Sequence, residues 1–285
     1  MRKYLNFFIV FLTLNFLFST QVLSVDCTAV SGTTVTITAS CTDLDISGSS
    51  SDVTINSGIT IDNAANKAVA NTGTATTLTN SGTISATGKW SLYGLHNSGT
   101  IDTLTNQSGA EISSVGYYGV YNTGGVITTL TNAGTIKGTQ SLGLQNTGSS
   151  TITTLTNTGT ISAAGARYGL WNTGSSTITT LTNTGTISAN SDYGIRNNSS
   201  SLITTLNNSG TISANNDDYG IFNESTITTL INSGTISADD DYGIRNNGVI
   251  TTLDNSGTIS TGDLYGLING SGGSNGTITT LTNTG

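Results

Sequence analysis

The chain has 285 residues with no proline, 36 glycines, 8% charged residues and a formal net charge of −8. So little charge excludes an ordinary disordered segment, and the Thr, Asn, Gly and Ser between the apolar positions exclude a long helix. The acidic balance argues against a nucleic-acid partner, because a phosphate backbone is bound by clustered Lys and Arg.

Residues 1–24 read as a secretory leader. Arg2 and Lys3 form the basic start, Tyr4 to Phe18 the apolar run, and Val22 and Ser24 the small-residue exit. The run is interrupted by Asn6, Thr13 and Asn15 and is short for a membrane span. Without Arg2 and Lys3 the net charge is about −10. The leader implies an exported chain, held at the cell surface or outer membrane or released. Residues 25–52 show no repeat and are expected to form an N-terminal cap. Cys27 and Cys41, the only cysteines, are expected to form a local disulfide there, with two free thiols as the alternative.

Residues 53–285 are one short unit written many times. Ile152-Thr-Thr-Leu-Thr-Asn-Thr-Gly-Thr-Ile161 returns in close variants at Ile178, Ile203, Ile227 and Ile250. The Leu-x-Asn step recurs at intervals of 23 to 28 residues from Leu78 to Leu281. A period near 25 without helix formers predicts an all-β parallel solenoid, each coil burying its apolar face against its neighbours. About eight or nine coils rising about 4.8 Å each would give a rod on the order of 40 Å. Three short strands per coil are predicted, around Tyr-Gly-Ile-x-Asn, Thr-Leu-x-Asn and Gly-Thr-Ile-Ser-Ala.

Strand alternation places Leu155, Asn157, Ile161 and Ala163 inward, and Thr154, Thr156, Thr160 and Ser162 outward. An inward Asn is costly unless its amide is paired, and identical Asn residues stacked coil on coil can pair with one another. That reading competes with glycosylation at Asn106, Asn223, Asn269 or Asn275. Tyr93, Tyr118, Tyr168, Tyr193, Tyr219, Tyr242 and Tyr265 mark each coil, with Leu142 once in their place. They share parity with the apolar residue and Asn that follow, so they are expected to stack beside the core. The chain stops at Leu281-Thr-Asn283-Thr-Gly285, inside a unit, and residues 53–285 are therefore expected to be part of a longer product.

The signal, together with coils such as Tyr242-Gly-Ile-Arg-Asn-Asn-Gly-Val-Ile-Thr-Thr-Leu-Asp-Asn-Ser-Gly-Thr-Ile-Ser260, resembles the passenger region of Gram-negative bacterial autotransporters. The resemblance implies a right-handed β-helix exported through a C-terminal outer-membrane barrel that would lie beyond these residues. It also implies an adhesin-like role toward a host or neighbouring-cell surface, a glycan or a second copy.

Chemistry is sparse. His96 is the only histidine, and no Ser-His-Asp set can be assembled from the sequence. The position between the inward apolar residue and Asn carries His96, Tyr121, Gln145, Trp171, Arg196, Phe222, Arg245 and Ile268. Read as outward, these form an exposed stripe and the candidate binding surface, where Trp171→Thr with Phe222→Thr should leave folding intact. Asp192, Asp218 and Asp241 each precede a coil tyrosine and are candidate calcium ligands, the one cofactor considered. Solvated acidic turns are the plainer reading of the same residues. An acidic outer face also keeps open a β-helical polysaccharide-degrading enzyme. Outward Thr-Leu-Thr pairs at Thr77, Thr103, Thr129, Thr154, Thr180 and Thr280, interrupted at Asn207, Ile231 and Asp254, keep open an ice- or crystal-binding solenoid.

Overall fold

The computed structural model describes residues 25–28, 34–49, 51–88, 92–165, 167–216, 218–270 and 272–285, so the leader reading of residues 1–24 lies outside the described residues. The fold is an all-β parallel solenoid of about nine turns, roughly 25 residues apart. One coil shows the construction: Tyr168–Asn172, Thr177–Asn183 and Thr186–Ala189 each pair in parallel with the same strand one coil on. The seven-residue threonine strands, with the shorter Thr34–Ile37 and Ser51–Ile55, form an 11-stranded sheet, and the other two kinds of strand belong to a 20-stranded sheet.

The core is a set of rows rather than a cluster. Leu104, Leu130, Leu155, Leu181 and Leu206 are consecutive register partners and fully buried. Ile161, Ile187 and Ile212 form a second row from the Thr-Ile-Ser-Ala strands, with Ala163 buried beside it. A coil alone could not bury these side chains, so each row is stabilised only by stacking.

The buried asparagines form two ladders. From Asn71 to Asn269, and from Asn80 to Asn283, each side-chain amide donates to the amide oxygen one coil on. Asn97 to Asn122 at 2.7 Å and Asn106 to Asn132 at 2.8 Å are examples. Each amide also donates to backbone at the corner, as Asn157 does to the carbonyls of Gly159 and Thr186. Asn106 and Asn223 are fully buried members of these ladders, which closes them to glycosylation.

Residues 25–52, expected as a cap, form the first coil and continue both sheets: Val25–Thr28 pairs with Cys41–Ile46, and Thr34–Ile37 with Ser51–Ile55. This first coil is short, with Thr34 opposite Asp52, and its short offset hides it from a 25-residue period. Cys27 and Cys41 are disulfide-bonded across it, with Cα atoms 5.8 Å apart.

The tyrosines do not share a face with the residues that follow. In Tyr193–Asn197 the tyrosine is outward, Gly194 and Ile195 are both inward, Arg196 is outward and Asn197 inward. Alternation breaks at the glycine, which takes no part in the register between Tyr193–Tyr219 and Ile195–Ile221. A Cβ on Gly194 would lie 2.6 Å from the Gly220 carbonyl oxygen and 3.0 Å from Ile212 Cγ2. Only glycine lets the backbone come this close, and the resulting bend turns the tyrosine out of the core.

Candidate interaction surface

The variable positions do line up. Register joins His96 to Tyr121, Tyr121 to Gln145, Gln145 to Trp171, Trp171 to Arg196, Arg196 to Phe222, Phe222 to Arg245 and Arg245 to Ile268. They are not an exposed stripe. Because the bend puts each tyrosine on the same outer face, tyrosine and variable residue pack edge to edge and cover one another. Phe222 is 6% exposed and Gln145 5%, and the remaining positions are half-buried.

Rings stack along the rod at centroid spacings of 5.0 Å for Tyr168–Tyr193, 5.1 Å for Tyr193–Tyr219 and 5.4 Å for Tyr219–Tyr242. Arg196 lies among them, its guanidinium carbon 5.4 Å from the Tyr168 ring centroid and 5.6 Å from that of Phe222. It donates to the Tyr168 hydroxyl at 2.8 Å and to Glu224 Oε2 at 2.8 Å. Arg245 lies over Tyr219 and Phe222 at 5.2 and 5.1 Å, and Trp171 Nε1 donates to Asn198 Oδ1 at 3.0 Å. These are the bonds of a structural ladder, made within the chain. Burial raises the pKa values of Tyr93, Tyr118, Tyr193 and Tyr219, with neighbouring tyrosines or Asp218 adding to the effect. Burial also lowers that of His96, helped by Lys67, and His96 packs beside the stacked Tyr93–Tyr121 pair, 5.1 and 5.5 Å from the two rings.

The described acids of these turns meet one another through backbone, the carbonyls of Asp192, Asp218 and Asp241 accepting from the amides of Tyr219, Tyr242 and Tyr265. Among the described residues, no three His, Cys, Asp or Glu side chains converge where a metal ion could be held. A cavity beside the last coil is lined by Asn255, Gly257, Thr258, Ile259, Gly266, Leu267, Leu281, Asn283 and Gly285, which include no acid or base.

The other long surface is the threonine sheet. Thr77, Thr103, Thr129, Thr154, Thr180, Thr205, Thr229, Thr252 and Thr280 are consecutive register partners, an unbroken outward row. The row two residues on runs through Thr105, Thr131, Thr156 and Thr182 before Asn207, Ile231 and Asp254 replace threonine. The interruptions noticed in the sequence therefore affect one row and leave its neighbour whole. On this sheet the only charged side chains are Asp52, Asp102 and Asp254, so the strands from Val126–Asn132 to Thr226–Asn232 are uncharged. No family model, curated protein or solved structure matches the chain.

Proposed function

We propose that this chain is a non-enzymatic, adhesin-like rod of the autotransporter-passenger kind, exported and displayed at the cell surface. Its contact face is the threonine sheet. The observation that carries the reading is the segregation of charge: a chain of net charge −8 keeps five neighbouring strands of one sheet free of charged side chains. Charge held away from a long surface leaves it able to meet another surface without desolvating ions. The variable row cannot serve equally well, since its aromatic and Arg groups are committed to one another. The disulfide across the first coil suits an oxidising, exported setting, as does the leader.

The test is display on a non-adherent bacterium, fused to a heterologous outer-membrane barrel. Thr129→Lys with Thr180→Lys puts two charges on the face, two coils apart with Thr154 between them. Loss of adhesion and cell aggregation at equal display supports the proposal. Parent-level adhesion by the double variant overturns it.

A further inference from the structure

We propose that the threonine sheet binds ice, an uncharged lattice of ordered water. The proposal rests on the reading of this sheet as the contact face, and goes further in naming what it contacts.

The first argument is geometry in two directions. Along the rod, Thr129, Thr154, Thr180 and Thr205 follow one another at the strand spacing of about 4.8 Å, fixed by parallel register. Across the rod, Thr154 and Thr156 stand two residues apart on one strand, about 6.6 Å. The two rows together make a rectangular mesh of hydroxyls comparable with oxygen repeats on faces of hexagonal ice. Threonine is stiff at χ1, so a hydroxyl and a methyl are held in one orientation at each node. A lattice ligand rewards repetition, because each water-mediated contact is weak and affinity arises from many made at once.

The second argument is independent of spacing. The hydroxyls of Thr129, Thr154, Thr156, Thr180 and Thr182 make no hydrogen bond within the chain among the described residues. Thr77, at the end of the same row, donates to Asp52 Oδ1 at 3.0 Å, so the free hydroxyls of the face are those of its uncharged middle strands.

The third argument is neutrality. An ion on this face would carry its own hydration shell, which a water lattice cannot accommodate. Acids on this sheet stand only toward its ends, Asp52 and Asp102 before the five uncharged strands and Asp254 after them, while Asp192, Asp218, Asp239, Asp240 and Asp241 are in the turns before the tyrosine strands. An exposed sheet that shunned charge only to pack against a protein would be expected to be more apolar, whereas here threonine fills one row from Thr77 to Thr280 and its neighbour from Thr105 to Thr182.

The experiment uses the purified chain in a growing ice crystal observed by microscopy, with the protein fluorescently labelled, and reads thermal hysteresis alongside. The parent is expected to facet the crystal, coat its surface and show a measurable hysteresis gap. Thr129→Lys with Thr180→Lys should abolish all three while circular dichroism and melting stay those of the parent. Ser188→Lys with Ser237→Lys, outward on the Thr-Ile-Ser-Ala strands, should leave them unchanged. Round crystals and no hysteresis from the folded parent overturn the proposal, as does faceting retained by the Thr129/Thr180 variant. So does a dimer in sedimentation that the same variant dissociates, since a second copy would then occupy the face. Adhesion lost in that variant without any effect of the parent on ice would leave the contact face standing and remove ice alone.

Discussion

The side-chain amide of Asn157 donates to Asn183 Oδ1, one coil on, at 2.8 Å, and accepts from Asn132, one coil back, at the same distance. The ladder therefore has a direction, and its two ends differ. At the first rung, Asn71 lies over Ile46 and its Oδ1 has no partner.

This asymmetry sets the first prediction. Asn157→Leu and Asn71→Leu each orphan the amide oxygen one coil on, and each take one donor from a carbonyl on their own corner and one from a carbonyl on the next coil. Only Asn157→Leu also removes an acceptor from the coil below, while Asn71→Leu eliminates an oxygen already unpaired. The Asn132 amide keeps its bonds to the Gly134 and Thr160 carbonyls, so the extra loss is one hydrogen bond, and Asn157→Leu should be more destabilising than Asn71→Leu by about 0.5–1.5 kcal/mol. Urea unfolding of the two variants measures the difference, and equal losses would refute the directional ladder.

The inward glycines supply the second. At Gly194 a Cβ meets the backbone oxygens of Gly220 and Ser213 at 2.6 and 2.9 Å, which a neighbour cannot relieve by changing rotamer. Gly109 has φ +79° and open space where its Cβ would stand. Gly109→Ala should therefore cost about 1–2 kcal/mol of left-handed strain. Gly194→Ala should cost about 3 kcal/mol or more, as overpacking that moves two coils. Thermal melts should rank them in that order.

Leu155, Asn157 and Ile161 were legible in the sequence because they obey the period-two alternation of a strand, and the repeat shows them many times over. The face of Tyr168 and Trp171 was not, because one glycine between them shifts parity while leaving the spelling of the repeat unchanged. Nothing local in Tyr-Gly-Leu says that two successive residues point inward; the close approach to the Ser-Ala strand decides it. The threonine rows were half legible. Thr154 and Thr156 read as outward, but the row through Thr205, Thr229 and Thr252 looked broken because the eye follows Thr-Leu-Thr and not the first threonine alone.

The aromatic ladder gives the third prediction, the reverse of what an exposed stripe would require. Phe222 packs between Tyr193 and Tyr219, each 5.2 Å away, and under Arg245. Phe222→Thr should lose about 2–3 kcal/mol of stability, below the full core value because the ladder is an outer layer. At alkaline pH the same ladder resists ionisation. Burial raises the Tyr193 and Tyr219 pKa values, so the folded state is favoured below the ordinary tyrosine value near 10 and loses that advantage as pH rises beyond it. Tyrosinate absorbance should show a late group that titrates together with the loss of β circular dichroism. Early and complete ionisation in a folded chain would contradict it.

His96 provides the last. Its ring lies against the stacked Tyr93–Tyr121 pair, over Ala70 of the coil before, with its Nδ1 buried and unpaired. Burial first, and the charge of Lys67 second, hold its pKa below the ordinary histidine value. The groups that act on it are thus the rings of Tyr93 and Tyr121 and the ammonium of Lys67. The folded chain prefers neutral imidazole, and the unfolded chain takes up its proton near pH 6.5. Between that value and the lower folded pKa the unfolded state binds more protons, so stability rises with pH. Acidification from pH 7.5 to 5.5 should therefore lower the urea midpoint, over a range in which ordinary carboxylates remain ionised. His96→Phe keeps a ring in the stack and should flatten this dependence. Lys67→Gln should make it shallower without abolishing it, because burial is the larger cause. A midpoint that falls as steeply in His96→Phe as in the parent would assign the acid sensitivity to another group.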